Sequence, residues 1–408
     1  MTKVLAYTSP MSGHLFPVVP ILQELQRRGH PVAVRTLRAY VADLRALGMD
    51  ARALSRAVEE IDIDDWRARS PGGSERRAML AFGRRAPLDA FDLREAIADE
   101  QPGMLLVDIM AFGALATAEA SGLPWAAWLP YPAWLRCRGV PPYGPGLRPM
   151  TGLAGRARDA AVGALGAIGP GRHVADAVNQ GRRAAGIETL RSADTVLLRP
   201  PLVLSMTAEP FEYPRTSWPA SFRLVGPCTW EPQTASPEWL SNDSRPVVLV
   251  STSSDFQDDG RLIDIAFDAL RDRDDLLVVA TVPSKQISLP RCPPNARVER
   301  FLSHRAVLER AVAVVCHAGM GTTQKALAAG VPVCAVPFGR DQFEVARRLQ
   351  VSGSGVRLPA RRLNAQRLRT AIERTIDCQP AARRVANAFA AAGGAVAAAT
   401  ALEALVAR

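Results

Sequence analysis

Four hundred and eight residues are roughly two to three times the usual length of one domain, so the chain reads as two domains or one large one. With 48% hydrophobic and 22% charged residues it can bury substantial cores, which excludes a disordered or collagen-like chain. The balance of 50 cations against 40 anions gives a net charge of +10, but only Lys3, Lys285 and Lys325 are lysines and the arginines are scattered among alanines; this argues against a nucleic-acid-binding stripe and suits an anionic ligand such as a diphosphate.

In chain order, Lys3–Thr8 is a strand candidate, Ser9–Gly13 a turn, Pro17–Arg28 a helix with apolar residues at helical spacing, and Pro31–Thr36 a second strand. The alternation returns at Gly103–Asp108, Ala111–Ser121 and Pro124–Leu129, which predicts a parallel sheet with helices on both faces. Two insertions, Arg52–Pro87 and Pro141–Arg172, read as irregular or weakly helical and as cover over a ligand site. A Pro-rich stretch, Pro210–Pro246, separates this half from a second series: Pro246–Ser251, Leu262–Leu270, Leu276–Val282, Val298–Leu302, Val312–Cys316, Thr322–Ala329, Val331–Pro337 and Asp341–Leu349. Helical patterns at Ala365–Ile376 and Ala381–Arg408 close the chain. The expected division is 1–215, a linker over 216–245, and 246–389, with the tail from about 390 to 408 returning to the first domain. The six cysteines show no CxxC spacing and read as reduced thiols of a cytoplasmic protein; no signal peptide or bilayer-spanning segment is expected.

Ligands of doubly wound sheets bind beyond the carboxyl ends of the strands. Two such loops carry histidines. The loop His317-Ala-Gly-Met-Gly-Thr322 combines small residues with the start of a helix whose unpaired amides suit a phosphate, whereas neither the GxGxxG nor the GxxxxGK[ST] pattern occurs. His14 follows Gly13 after the first strand, in front of a helix whose positive end would keep the imidazole neutral and able to accept a proton; a capping or surface histidine is the plainer alternative. Asp108 ends a strand at the same edge and can orient an imidazole, or merely cap the next helix. Trp125, Trp128, Tyr131, Trp134 and Tyr143, with Met79, Phe82 and Phe91 from the other insertion, form either core or the wall of a large apolar pocket. No metal-ligand spacing is present.

Gly13-His14, Asp108, Val225-Gly226-Pro227, the His317–Thr322 loop and Pro337-Phe-Gly-Arg-Asp341-Gln342 together resemble the inverting GT-B glycosyltransferases, most of all the actinomycete enzymes that decorate antibiotics and other natural products. The resemblance implies two facing Rossmann-like domains, the first holding a bulky aglycone and the second a nucleoside-diphosphate sugar. It implies His14 as general base with Asp108 as its partner. Phe301 would pack on the nucleobase, with Leu302 also on the donor side; His317, Gly319, Gly321, Thr322 and Ser254 would meet the diphosphate, and Asp341 and Gln342 the sugar hydroxyls; Trp128, Tyr131, Trp134, Met79 and Phe82 would receive the acceptor. The partners are then two small molecules, with no nucleic acid, membrane, metal or further cofactor, and a homodimer is allowed.

Two departures stand out. Lys325 takes the place where relatives using uridine donors commonly have a glutamate that accepts from both ribose hydroxyls, so a thymidine-diphosphate deoxysugar is the expected donor. Leu302-Ser303-His304 replaces the usual Val-Pro-Gln, and His304 reads as a loop histidine. A nucleotide-sugar epimerase of the same fold and a noncatalytic nucleotide-sugar-binding partner remain as alternatives.

Overall fold

The computed structural model describes every residue except Arg69, Ser217, Gln233, Ser236, Asp255 and Arg408, and of Pro71 the backbone only, so the last residue of the expected tail helix lies outside it. The first sheet has seven parallel strands: β1 Val4–Tyr7, β2 Val32–Thr36, β3 Asp50–Ala53, β4 Met104–Asp108, β5 Trp125–Leu129, β6 Val203–Ser205 and β7 Phe222–Leu224. Their order in space is β3-β2-β1-β4-β5-β6-β7. The second has six: β8 Val247–Ser251, β9 Leu277–Thr281, β10 Ala296–Glu299, β11 Ala311–Cys316, β12 Val333–Ala335 and β13 Gly355–Arg357, in the order β10-β9-β8-β11-β12-β13. Runs such as Val4-Leu-Ala-Tyr7 and Val247-Val-Leu-Val-Ser251 are buried at every residue, because helices cover both faces of each sheet. Two facing Rossmann-like domains, the GT-B arrangement, result.

Each sheet reverses its strand order once, between β1 and β4 in the first and between β8 and β11 in the second. The loops leaving these strands diverge to opposite faces and open a crevice there. The functional loops of both halves leave from these two places.

Several expectations change. The insertion read as Arg52–Pro87 opens with β3 and then runs into a helix of 30 residues, Pro71–Glu100, which contains Pro87. The stretch Pro141–Arg172 holds a second well-formed helix, Gly152–Ile168, and the start of another, Pro170–Ala184. Inside the stretch read as linker, Phe222–Leu224 pairs with β6 and closes the first sheet. β10 ends at Glu299, so Phe301 and Leu302 lie in the loop that follows it.

The tail Gln379–Val406 is apolar and long enough to cross a bilayer by composition. It breaks at Gly393 and Gly394, both with positive φ, into two helices of 13 residues, each short of the roughly 20 needed for a span. Phe389 packs into the second domain, whereas Ala398, Ala399 and Leu402 pack against Leu15, Leu22 and Leu25 of the first. Arg28 and His30 fix the return through Glu403, at 2.7 and 3.2 Å.

Candidate active site

β1 and β4 are paired, with Tyr7 opposite Val107, so the residues just beyond them emerge side by side. His14 lies in a helical turn, Ser12–Leu15, and its Nδ1 is 2.9 Å from Asp108 Oδ2 and 3.0 Å from Oδ1. A carboxylate only accepts, so Nδ1 carries the proton and Nε2 is left for a substrate. His14 sits in this short turn, still ahead of the helix Val19–Arg27, and the direct partner of its ring is Asp108. Asp108 is fully buried; its Oδ2 accepts from the Ser9 amide and its Oδ1 from the Met110 amide, both at 3.0 Å. Burial alone would push this carboxyl up, but His14 and the two amides outweigh it and hold it below the usual carboxylate range.

β8 and β11 are likewise paired, with Ser251 opposite Cys316. Ser251–Ser254 and His317 therefore stand together at the second switch point. Ala318, a non-glycine residue at φ 67°, turns the chain into the helix Met320–Ala328, whose N-cap is Gly319. A Cβ at Gly319 would fall 2.2 Å from His317 Nε2, so glycine is what lets the imidazole lie against the loop. At Gly321 a Cβ would meet nothing within 4 Å, because that residue faces open space at the helix tip. His317 Nδ1 has no hydrogen-bond partner and sits 3.7 Å from Asp259 Oδ2. Burial pushes His317 down to about 4, with Arg340 adding to the effect and the Ser251 carbonyl opposing it. Burial pushes the Asp259 carboxyl up to about 6 against the Ser253 amide that donates to it.

His14 and His317 open onto one cavity of about 2200 Å³ between the two sheets. Met79, Phe82, Tyr131 and Trp134 line it from the first domain, and Ser254, Phe301, Leu302, Gly319, Gly321, Thr322, Asp341 and Gln342 from the second. Tyr131 stacks on Trp134 at an interplanar angle of 14° and meets the His14 ring edge-on at 5.6 Å. The Tyr131 hydroxyl and Trp134 Nε1 are buried without partners. The domains also touch around the cavity: Ser12 meets Ser254 at 3.3 Å, and Arg340 grips both Asp65 oxygens at 2.7 and 2.8 Å.

Four of the candidate residues present no free group to the cavity. Trp128 is fully buried on the far side of the first sheet among Val4, Ala6 and Leu106, and its Nε1 donates to the His14 carbonyl at 3.1 Å. It supports the histidine from below rather than meeting an acceptor. Gln342 lines the cavity with its amide already used: its carbonyl accepts from the Phe338 and Gly339 amides, and its nitrogen donates to Gln257. Phe91 is 58% exposed and Trp125 is in the core. Asp341, in contrast, makes no capping bond with the helix it precedes, and burial raises its carboxyl against the pull of Arg340.

Sequence reading missed Glu231. This linker carboxylate accepts from Lys325 Nζ at 2.9 Å, from the His304 and Arg305 amides at 3.2 and 3.1 Å, and from the Ser303 hydroxyl. Burial works against its charge, but these donors, Lys325 first, hold it at about 2. His304, read as a loop residue, starts a short buried helix; its Nε2 is 3.1 Å from Thr281 Oγ1, and burial and Lys325 push it down to about 4. Among the described residues, no group of three His, Cys, Asp or Glu side chains could hold a metal ion.

The family model for the C-terminal domain of erythromycin biosynthesis protein CIII-like proteins matches residues 265–405. The chain is 32% identical to 4'-demethylrebeccamycin synthase of Lentzea aerocolonigenes over 92% of each chain. It is 26% identical to the L-demethylnoviosyl transferase of Streptomyces niveus, over 88% of this chain and 85% of that one. In fold it is similar to the glycotransferase of kitacinnamycin, with a TM-score of 0.74 at 22% identity over 99% of each chain. It is also similar to glycosyltransferase VinC solved with dTDP, with a TM-score of 0.71 at 21% identity over the whole of each chain.

Proposed function

The chain belongs to the glycosyltransferases of antibiotic and related natural-product biosynthesis, and from that premise we propose that it moves a deoxysugar from a thymidine-diphosphate donor to a hydroxyl of a bulky, largely apolar aglycone, with inversion. The observation that carries this reading is the single cavity onto which His14 Nε2 and the glycine-lined helix tip at 319–322 both open. An acceptor hydroxyl seated against Tyr131 and Trp134 loses its proton to His14 as its oxygen attacks the anomeric carbon. The buried Asp108 carboxylate stabilises the imidazolium that forms. The departing diphosphate is met by the amides of the Met320–Ala328 helix, Thr322 and His317, which are preorganised and require no metal in this reading. Asp341 accepts from a sugar hydroxyl.

Support for a thymidine donor comes from the Lys325–Glu231 pair. The Glu231 oxygens already accept from four donors and Lys325 only donates, so neither offers a free carboxylate to two ribose hydroxyls. Loss of that acceptor matters least when the 2′-hydroxyl is absent, and VinC, of similar fold, was solved with dTDP. The test is a thermal-shift comparison of thymidine and uridine diphosphates, followed by transfer assays with a panel of aglycones. A larger shift with uridine diphosphate overturns the donor assignment.

A further inference from the structure

The long helix Pro71–Glu100 carries one cation, Arg85, that is 1% exposed. It lies behind the catalytic pair, and neither Arg85 nor Ser9 lines the cavity. Arg85 Nη2 donates to the Ser9 hydroxyl at 3.2 Å and to the Met110 carbonyl at 2.9 Å. These are the two residues whose amides hold the two oxygens of Asp108. Arg85 Nε donates to Asp89 at 3.3 Å, which anchors the guanidinium to its own helix. The helix is itself pinned at this point: a Cβ at Gly113 would fall 1.7 Å from the Ala86 carbonyl, so the helix Phe112–Ala120 packs backbone to backbone against it.

On the other side of Asp89 stands Tyr7, whose hydroxyl lies 3.2 Å from Asp89 Oδ1 and 3.0 Å from Asp92 Oδ2. One hydroxyl has one proton to give, so both contacts are hydrogen bonds only when one of the carboxyls is protonated. Burial pushes Asp89 up to about 6 even against Arg85.

Resting on the transferase reading, we infer that Arg85 is a positioning residue for the His14–Asp108 pair: one buried guanidinium ties together Ser9 and Met110, and through their amides fixes the carboxylate that orients the base. The loops carrying Ser9 and Met110 leave different strands and have no other shared cation among the contacts described. Without Arg85 the two amides can move apart, and Asp108 loses the geometry that fixes the His14 tautomer and aims Nε2 at the acceptor.

The test is proton NMR of the full-length protein, following the far-downfield His14 Hδ1 resonance of the Asp108 bond (identified by its loss in His14→Gln), together with steady-state kinetics. Arg85→Met is expected to shift that resonance upfield or remove it and to lower kcat roughly 10- to 100-fold, the scale of a small misplacement, with donor KM unchanged. Arg85→Lys should restore most of both. Arg348→Met, which deletes an equally buried guanidinium in the second domain, should lower Tm and leave the resonance in place. If Arg85→Met fails to fold, Ser9→Ala, which removes one of the two tethers, should weaken the same resonance. A resonance unchanged in Arg85→Met, or unchanged in Ser9→Ala when Arg85→Met does not fold, refutes the role. So does a loss of kcat that Arg348→Met reproduces with the resonance intact. The NMR readout does not depend on sugar transfer, so an enzyme that transfers no sugar would sink the transferase reading and leave this one open to its own result.

Discussion

Gly319 and Gly321 stand two residues apart at one helix tip, the first as its N-cap and the second inside its first turn, but their surroundings differ, and alanine at each separates them. At Gly321 a methyl meets no protein atom within 4 Å. Replacing a helical glycine with alanine stabilises by about 0.5–1 kcal/mol, so Gly321→Ala should raise the Tm of the free enzyme by roughly 1–4 °C. The methyl then occupies the space where a diphosphate must approach the helix amides. A tenfold loss of affinity corresponds to about 1.4 kcal/mol. With thymidine diphosphate at about 100 times Kd, ligand stabilisation of about 2.7 kcal/mol should fall to about half. At Gly319 the new Cβ would stand 2.2 Å from His317 Nε2, where 3.4 Å is ordinary contact. The ring must retreat by about 1 Å into a packed wall, so Gly319→Ala should lower the free enzyme's stability by about 1–3 kcal/mol as well as its ligand shift. Differential scanning fluorimetry with and without thymidine diphosphate reads all four numbers. A Gly321→Ala protein whose ligand shift equals that of the parent would refute the placement of the diphosphate at this helix tip.

His14→Ala should lower turnover roughly 100-fold or more while keeping the thymidine-diphosphate thermal shift; equal turnover rejects the base assignment. Arg340→Met leaves the buried Asp65 without its bidentate partner and should cost about 2 kcal/mol, less than for a fully buried pair because Arg340 is 22% exposed on its side chain. Adding Asp65→Asn should recover part of that loss in chemical denaturation; a double variant that is simply additive would show the two do not interact. Acid stability turns on opposing signs. His317 is depressed from 6.5 to about 4, so its contribution is complete above 6.5 and is lost as pH falls through 4, about 3 kcal/mol in all. Asp259 is raised from 3.8 to about 6, so it adds a similar amount of stability as pH falls through 6 towards 3.8. The two offset each other, and Asp259→Asn should make the loss of stability between pH 6.5 and 4 steeper by about 3 kcal/mol; parallel Tm curves for parent and variant would contradict this.

What could be read from the chain was what local pattern encodes. His14 and Asp108 are 94 residues apart, yet each follows an apolar run, and pairing of the first strand with the strand before Asp108 puts them together. The strand-to-helix turn at His317–Thr322 was legible for the same reason, since small residues between an apolar run and a helical pattern mark such a turn locally. The long helix was not. Gly72, Gly73, Gly83 and Pro87 interrupt it, and Arg85, Asp89 and Asp92 face inward, so the apolar stripe that announces a surface helix is missing. Trp128 was misplaced because β5 is buried on both faces, and alternation cannot say which face meets a cavity.

The unread part of the site has a common cause. Glu231 meets Lys325 across 94 residues, Asp65 meets Arg340 across 275, and Arg85 reaches Ser9 across 76. In each pair a charged side chain that is unremarkable in its own segment acquires a role only when folding removes it from water, where an unpaired charge is costly and a paired one is held in a single place. Lys325 makes the point most directly. Read alone, it is a single hydrogen-bond donor on a helix; in the fold, it is neutralised by a linker carboxylate, so this part of the cavity wall is a closed ion pair. On the thymidine-donor proposal, donor preference would be written in two segments at once, and changing Lys325 to Glu without changing Glu231 would set two carboxylates against each other rather than create a free acceptor.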